Sequence, residues 1–140
     1  GDWPESKDRD FAALCRLAGL SIREASEFLD VPTNTANKWA QGSRNAPPGV
    51  MGELRSLVER QETAAAEALD LIDRQRQSGI VELGYPSDDH EARSLGWPCV
   101  GAWGAVAARI IAGTDAPITL VPRGSTPATA RAADEREISN

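Results

Sequence analysis

Four side chains in one short segment share a chemistry and a spacing. Asn34, Asn37, Lys38 and Gln41 fall at i, i+3, i+4 and i+7 within "VPTNTANKWAQG", so on a helix they form one continuous stripe. An amide carries a donor and an acceptor side by side, the pattern that pairs bidentately with N6 and N7 of adenine, and an ammonium suits guanine or a phosphate. Thr33 stands at the start of the same segment, where a hydroxyl and backbone N–H groups suit an anionic oxygen. Arg23 upstream and Ser43, Arg44 and Asn45 downstream are groups that hold a nucleic-acid backbone and fix register without reading sequence. The window from Val31 to Gly52 holds no Asp or Glu, although the chain carries a formal charge of −6. A carboxylate would be repelled by phosphates in a partly dehydrated interface. The window therefore fits a surface that meets double-stranded DNA in its major groove.

The overall acidity does not contradict this. Residues 1–49 have a net charge of −1, residues 50–78 of −2 and residues 79–122 of −3, while residues 123–140 are balanced. Within the first part the acids lie before Val31. Global charge sets solubility and non-specific affinity, and local field sets where a polyanion docks. An acidic body with one acid-free face predicts weak non-specific binding beside specific binding.

The elements that must position these groups are legible. "RDFAALCRLAGL" places Phe11, Leu14, Cys15 and Ala18 on one helical face and ends at Gly19. Ser21 and Glu24 form a capping box for a second helix, whose buried face is expected to hold Ile22, Ala25, Phe28 and Leu29. Pro32 presets the backbone for a third helix, which runs to about Gln41 and stops at Gly42. Thr35, Ala36 and Trp39 take its inner side. Two short helices joined by a tight turn, the second with a polar outer face, predict a helix-turn-helix. The loop "SRNAPPG" follows.

From Val50 to Ser78 the apolar spacing predicts a long helix, or two abutting ones. "IVELGY" (80–85) and "PITLVP" (117–122) are β-prone, and a helix from about Pro98 to Ala112 lies between them. On it Val100, Trp103, Val106 and Ile110 form an apolar stripe. Gly101, Gly104, Ala105 and Ala108 form an adjacent small-residue stripe that admits a partner helix. Two tryptophans, Trp97 and Trp103, exceed what a lone strand–helix–strand unit can bury. A homodimer is therefore expected through residues 80–122, with Trp97, Val100, Trp103 and Ile110 at the interface. The competing reading is that the long helix covers them within one chain.

The expected fold is mainly α. An N-terminal helix-turn-helix DNA-binding domain spans 5–49, and a long helix plus a small strand–helix–strand (α+β) dimerisation element spans 50–122. The tail, 123–140, is either disordered or a short helix.

Enzyme chemistry finds little support. His90 is the only histidine, and no phosphate loop or nucleophile–base pair is present. Asp88, Asp89, His90 and Glu91 read as a solvated helix start, because consecutive residues on a helix do not share a face. No metal and no cofactor are expected. Cys15 and Cys99 sit in apolar patterns and read as buried thiols of a reducing compartment. There is no run of about 18 apolar residues to span a membrane, and "GDWPESKDRD" has no apolar core of a signal peptide. A cytoplasmic protein is expected.

"LSIREASEFLDVPTNTANKWAQG" resembles the Cro/CI-type helix-turn-helix regulators, whose usual form is a Ser-capped helix, a small residue (Ala25), a Val at the turn and a helix ending in Trp-x-x-Gly. Ile22 stands where that family usually has a phosphate-contacting Gln, which leaves the contact to Arg23, and Pro32 stands where Ser is usual. Residues 9–121, including "SLGWPCVGAWGAVAARIIAG", are similar to the anti-CRISPR-associated (Aca) repressors and to YdiL-type bacterial proteins. That resemblance implies an N-terminal part that binds DNA, base reading by Asn34, Asn37 and Lys38, and a C-terminal part that pairs two protomers on an inverted repeat. The expectation is a homodimeric autorepressor of a phage or mobile-element operon. The alternative is an antitoxin or other protein-interaction module acting through the acidic C-terminal half, and RNA binding is a lesser one.

Overall fold

The computed structural model describes residues 10–75 and 79–123, which hold six helices and two strands. In chain order these are α1 (Asp10–Leu17), α2 (Ile22–Leu29), α3 (Thr33–Gln41), α4 (Pro48–Arg74), β1 (Val81–Tyr85), α5 (Asp89–Ser94), α6 (Val100–Ala112) and β2 (Ile118–Pro122). The chain is thus mainly helical with one small sheet. Calls on residues 5–9 and on the tail beyond Arg123 lie outside the described residues. Among the described residues, no helix is long and apolar enough to cross a membrane.

The described residues form two compact units that divide between Thr63 and Ala64. The division falls inside α4, downstream of the boundary at 49/50 expected from the sequence. The reason is packing. The first turns of α4 bury Leu54, Leu57 and Val58 in the N-terminal unit, and Gln61 Nε2 donates to Ala18 O at 2.8 Å. That bond satisfies a carbonyl left over at the end of α1, so the helix is needed to close the first core. α4 itself is one unbroken helix of 27 residues.

In the N-terminal unit the local signals act as their chemistry dictates. Phe11, Cys15 and Ala18 are buried, and α1 stops where Gly19 adopts φ 77°. The capping box at the start of α2 is complete. Ser21 N donates to Glu24 Oε1 at 2.9 Å, and Glu24 N donates to Ser21 Oγ at 3.1 Å. Ala25, Ser26 and Leu29 form the buried face of α2, while Ile22 and Phe28 are only half-buried. Asp30 ends the helix in the left-handed region at φ 58°, a conformation that Asp tolerates better than most residues. Pro32 precedes α3 with φ −61° and ψ 143°. Gly42 closes α3 at φ 82°, and Ser43 N reaches back to Lys38 O at 3.0 Å, a turn that favours glycine at its left-handed position.

In the second unit β1 and β2 pair in parallel, with Val81 opposite Ile118 and Tyr85 opposite Pro122. A parallel pair needs a long crossover, and α5 and α6 supply it. The core joins Ala65 and Ile72 of α4 to Val106 and Ile110 of α6, with Leu69, Val81, Leu83, Trp97 and Ile118 packed against it.

The acidic run of residues 88–91 is used for capping. Asp88 accepts from Glu91 N at 2.8 Å to start α5, and Asp89 accepts from Val100 N at 2.9 Å to start α6. Glu91 accepts from Ser87 N at 2.6 Å and lies 3.8 Å from Arg123. Each carboxylate therefore meets an orphan helix donor, a loop amide or a guanidinium.

Candidate nucleic-acid interface

Helix α3 has one inward and one outward side. Ala36 and Trp39 are buried, at 0 % and 6 % exposure. At about 100° per residue, Asn37, Gln41 and Asn34 lie about 160–220° around the axis from Trp39. All three are exposed, and so is Thr33. Lys38 is half-buried on the flank of this stripe. The stripe is therefore the face turned away from the unit's own core, and its end groups are two carboxamides and a third one turn on.

The electrostatics of this end of the molecule differ from helix to helix. α2 opens with an acid in its first turn and a side-chain cap. α3 opens with neither, behind a proline that has no N–H to offer. The positive end of its dipole is thus not compensated by its own sequence, while Lys38 lies in its last turn.

The flanking groups sort into two kinds. Arg44 and Asn45 are exposed in the loop that folds back from α3, where Arg44 N donates to Lys38 O at 3.3 Å. Ser43 is different, because its hydroxyl donates to Lys38 O at 3.2 Å. A phosphate oxygen, itself only an acceptor, obtains a proton from Ser43 only by displacing that bond. Arg23 lies 3.6 Å from Glu27 on the exposed side of α2. Such an exposed i,i+4 pair contributes little, so a phosphate can replace the carboxylate.

Thr33 and Ser26 were not expected to belong together. Their hydroxyl oxygens are 3.1 Å apart, across the turn between α2 and α3. Ser26 is 2 % exposed. Its signal in the sequence is a lone hydroxyl beside Ala25 on an otherwise apolar face, seven positions before Thr33.

In the second unit the expected contact residues separate. Ile110 is 3 % exposed and belongs to the unit's own core, and Trp97 packs against that core. The stripe Val100–Trp103–Val106–Ile110 is thus largely an inward face, and Ile110 has no surface to give a partner. Val100 and Trp103 remain half-buried. The outward side of α6 is Gly101, Gly104, Ala105, Ala108, Ile111 and Ala112, with no polar side chain among them. Among the described residues, five of the six large exposed apolar ones, Leu71, Ile80, Leu95, Ile111 and Leu120, lie in this unit.

A scan of protein-family models finds none that matches the chain, and a search of curated proteins finds no match either.

Proposed function

We propose that this protein is a sequence-specific DNA-binding regulator in which α2, the turn Asp30–Pro32 and α3 act as a helix-turn-helix, with α3 as the recognition helix. One observation carries the reading. Asn34, Asn37 and Gln41 stand exposed and in line on the side of α3 opposite the buried Trp39. An α-helix fits the major groove, where three or four side chains reach base edges, and carboxamides favour adenine. Lys38, Arg44, Asn45 and Arg23 supply backbone contacts, and the uncapped start of α3 suits a phosphate.

One such helix touches too few base pairs for useful discrimination, and dimers on half-sites about one helical turn apart are the common solution. The outward side of α6, apolar except for Arg109 on its flank, whose Nη1 donates to Ala105 O at 2.9 Å, supports pairing of two protomers through the second unit, because a wide apolar helix side is ordinarily covered. Ile111 belongs to this side and the half-buried Val100 and Trp103 border it, whereas Ile110 is buried in the unit's own core. The resemblance to anti-CRISPR-associated repressors extends the proposal to an autorepressor that blocks polymerase at an inverted repeat.

The test is an electrophoretic shift with the DNA upstream of the protein's own gene, against a scrambled competitor. A specific shift that weakens steeply with salt supports the reading. Equal affinity for both DNAs overturns it, and stable co-purification with the product of a neighbouring gene instead favours an antitoxin.

A further inference from the structure

The Ser26–Thr33 hydroxyl pair has a determined direction. Ser26 Oγ lies 2.6 Å from Arg23 O, a carbonyl that can only accept. A serine hydroxyl has one hydrogen, and this contact uses it. The 3.1 Å contact between the two hydroxyls must then have Thr33 Oγ1 donating to Ser26 Oγ. Thr33, at the mouth of α3, therefore sends its only hydroxyl proton back into α2. It has none left for a phosphate.

Ser26 holds the turn from two sides. Its carbonyl accepts from Val31 N at 3.0 Å, and its side chain accepts from Thr33. Between these bonds run Asp30, at φ 58°, and Pro32, whose φ is fixed by its ring. Three hydrogen bonds thus converge on one buried residue, one through its carbonyl and two through its hydroxyl, and the bond from Thr33 reaches the first residue of α3. A displacement of about 1 Å at that end swings carboxamides that must meet base edges in bidentate geometry.

We infer that Ser26 and Thr33 are positioning residues: their hydroxyl tether sets the angle at which α3 presents Asn34, Asn37 and Gln41. The inference rests on the DNA-binding reading above. It assigns to Thr33 a role other than the phosphate contact expected from its place in the sequence.

The experiment has one arm without DNA and one with it, both on the full chain, with Thr33→Val, Thr33→Ser and Ser26→Ala. Thr33→Val keeps the shape at an exposed position and removes the donor, so it is the variant least at risk of unfolding. In the free protein, amide hydrogen exchange at Val31 and Ala36 accelerates about fivefold in Thr33→Val and stays at the wild-type rate in Thr33→Ser, the change expected for loss of one neutral hydrogen bond. Unchanged exchange in Thr33→Val overturns the tether, whatever the DNA result.

With DNA, the ratio of operator to competitor affinity falls about fivefold in Thr33→Val and in Ser26→Ala, and Thr33→Ser restores it. Ser26 is too deeply buried to touch DNA, so a fall in that ratio at unchanged melting temperature reports positioning. Equal weakening on operator and competitor in Thr33→Val makes Thr33 a phosphate contact and overturns the inference. A wild-type protein with no operator preference overturns the DNA reading instead, and the exchange arm still decides whether the tether exists.

Discussion

The indole of Trp39 meets the ring of Phe11 edge-on, with centroids 5.4 Å apart and planes at 68°. This contact ties α3 to α1 and decides which side of α3 faces away. Edge-to-face pairs of this kind add to the area their rings bury. Replacing Trp39 with Ala is expected to cost about 3–5 kcal/mol, as for other buried aromatic truncations, measured by urea unfolding. Trp39→Phe retains part of the contact and costs less. Equal stability of the Ala variant and wild type would show that α3 is not held by this ring pair.

Asn37 lies nearly opposite Trp39, which makes it the clearest test of base reading. Asn37→Ala is expected to lose about 1–3 kcal/mol at the operator while binding to random DNA stays unchanged. Stability should not move, because the side chain is exposed. Titration of both DNAs with the same preparation checks the split, and a variant that binds the operator like wild type removes Asn37 from the groove.

Arg44 is expected to act without regard to sequence. Its replacement by Gln weakens operator and random DNA alike and flattens the slope of log affinity against log salt by about one unit. Loss confined to the operator would make Arg44 a base reader, and the loop would then enter a groove.

How far the sequence could be read depends on the range of the interactions involved. The capping box at Ser21 and Glu24, the stop at Gly42 and the inward Trp39 are local, set by residues within a turn or two of one another. The two strands were also legible from their β-branched runs, though not their parallel register. Ser26 was missed because its partner sits across a turn, and no periodicity marks a hydroxyl–hydroxyl contact. That Ile110 joins the core of its own unit was not legible, because an apolar stripe has the same spacing whether it meets its own core or a partner. Absence of acids was a weaker signal than it looked. Residues 92–114 form an acid-free run of 23 residues that includes the buried Ala92, Cys99, Ala102, Val106, Ala107 and Ile110, so a lack of acids does not by itself mark a DNA-facing surface. What separates Val31–Gly52 is that its amides are exposed.

Burial pushes the Cys15 thiol up to about 11, from an ordinary value of 9.0. The unfolded chain therefore releases this proton between about pH 9 and 11 while the folded chain keeps it. Stability contributed by the neutral thiol is complete below pH 9 and is lost as pH rises through that interval. Urea unfolding of wild type and Cys15→Ala from pH 8 to 11 should show the steeper decline in wild type. Parallel curves would mean that the thiol ionises as easily in the fold as outside it. The same burial predicts a thiol inert to alkylating reagents until the protein unfolds.

Two glycines, Gly104 inside α6 and Gly113 at its C-terminal end, separate folding from pairing. A Cβ on Gly113 would come within 2.6 Å of Leu69 Cδ1 and 3.1 Å of Arg109 O, whereas one on Gly104 meets nothing within 4 Å. Gly113→Ala is therefore expected to destabilise the second unit unless Leu69 moves, while Gly104→Ala gains about 0.5–1 kcal/mol of helix stability. The fold has no need of glycine at 104, and a partner helix in close approach would. Gly104→Leu should then keep a native circular dichroism spectrum, shift sedimentation equilibrium from dimer to monomer, and lose cooperative binding to an inverted repeat. A Gly104→Leu protein that still sediments as wild type does would move the interface off this side of α6. A wild type that is monomeric at micromolar concentration would remove the dimer altogether and leave α3 to read a single half-site.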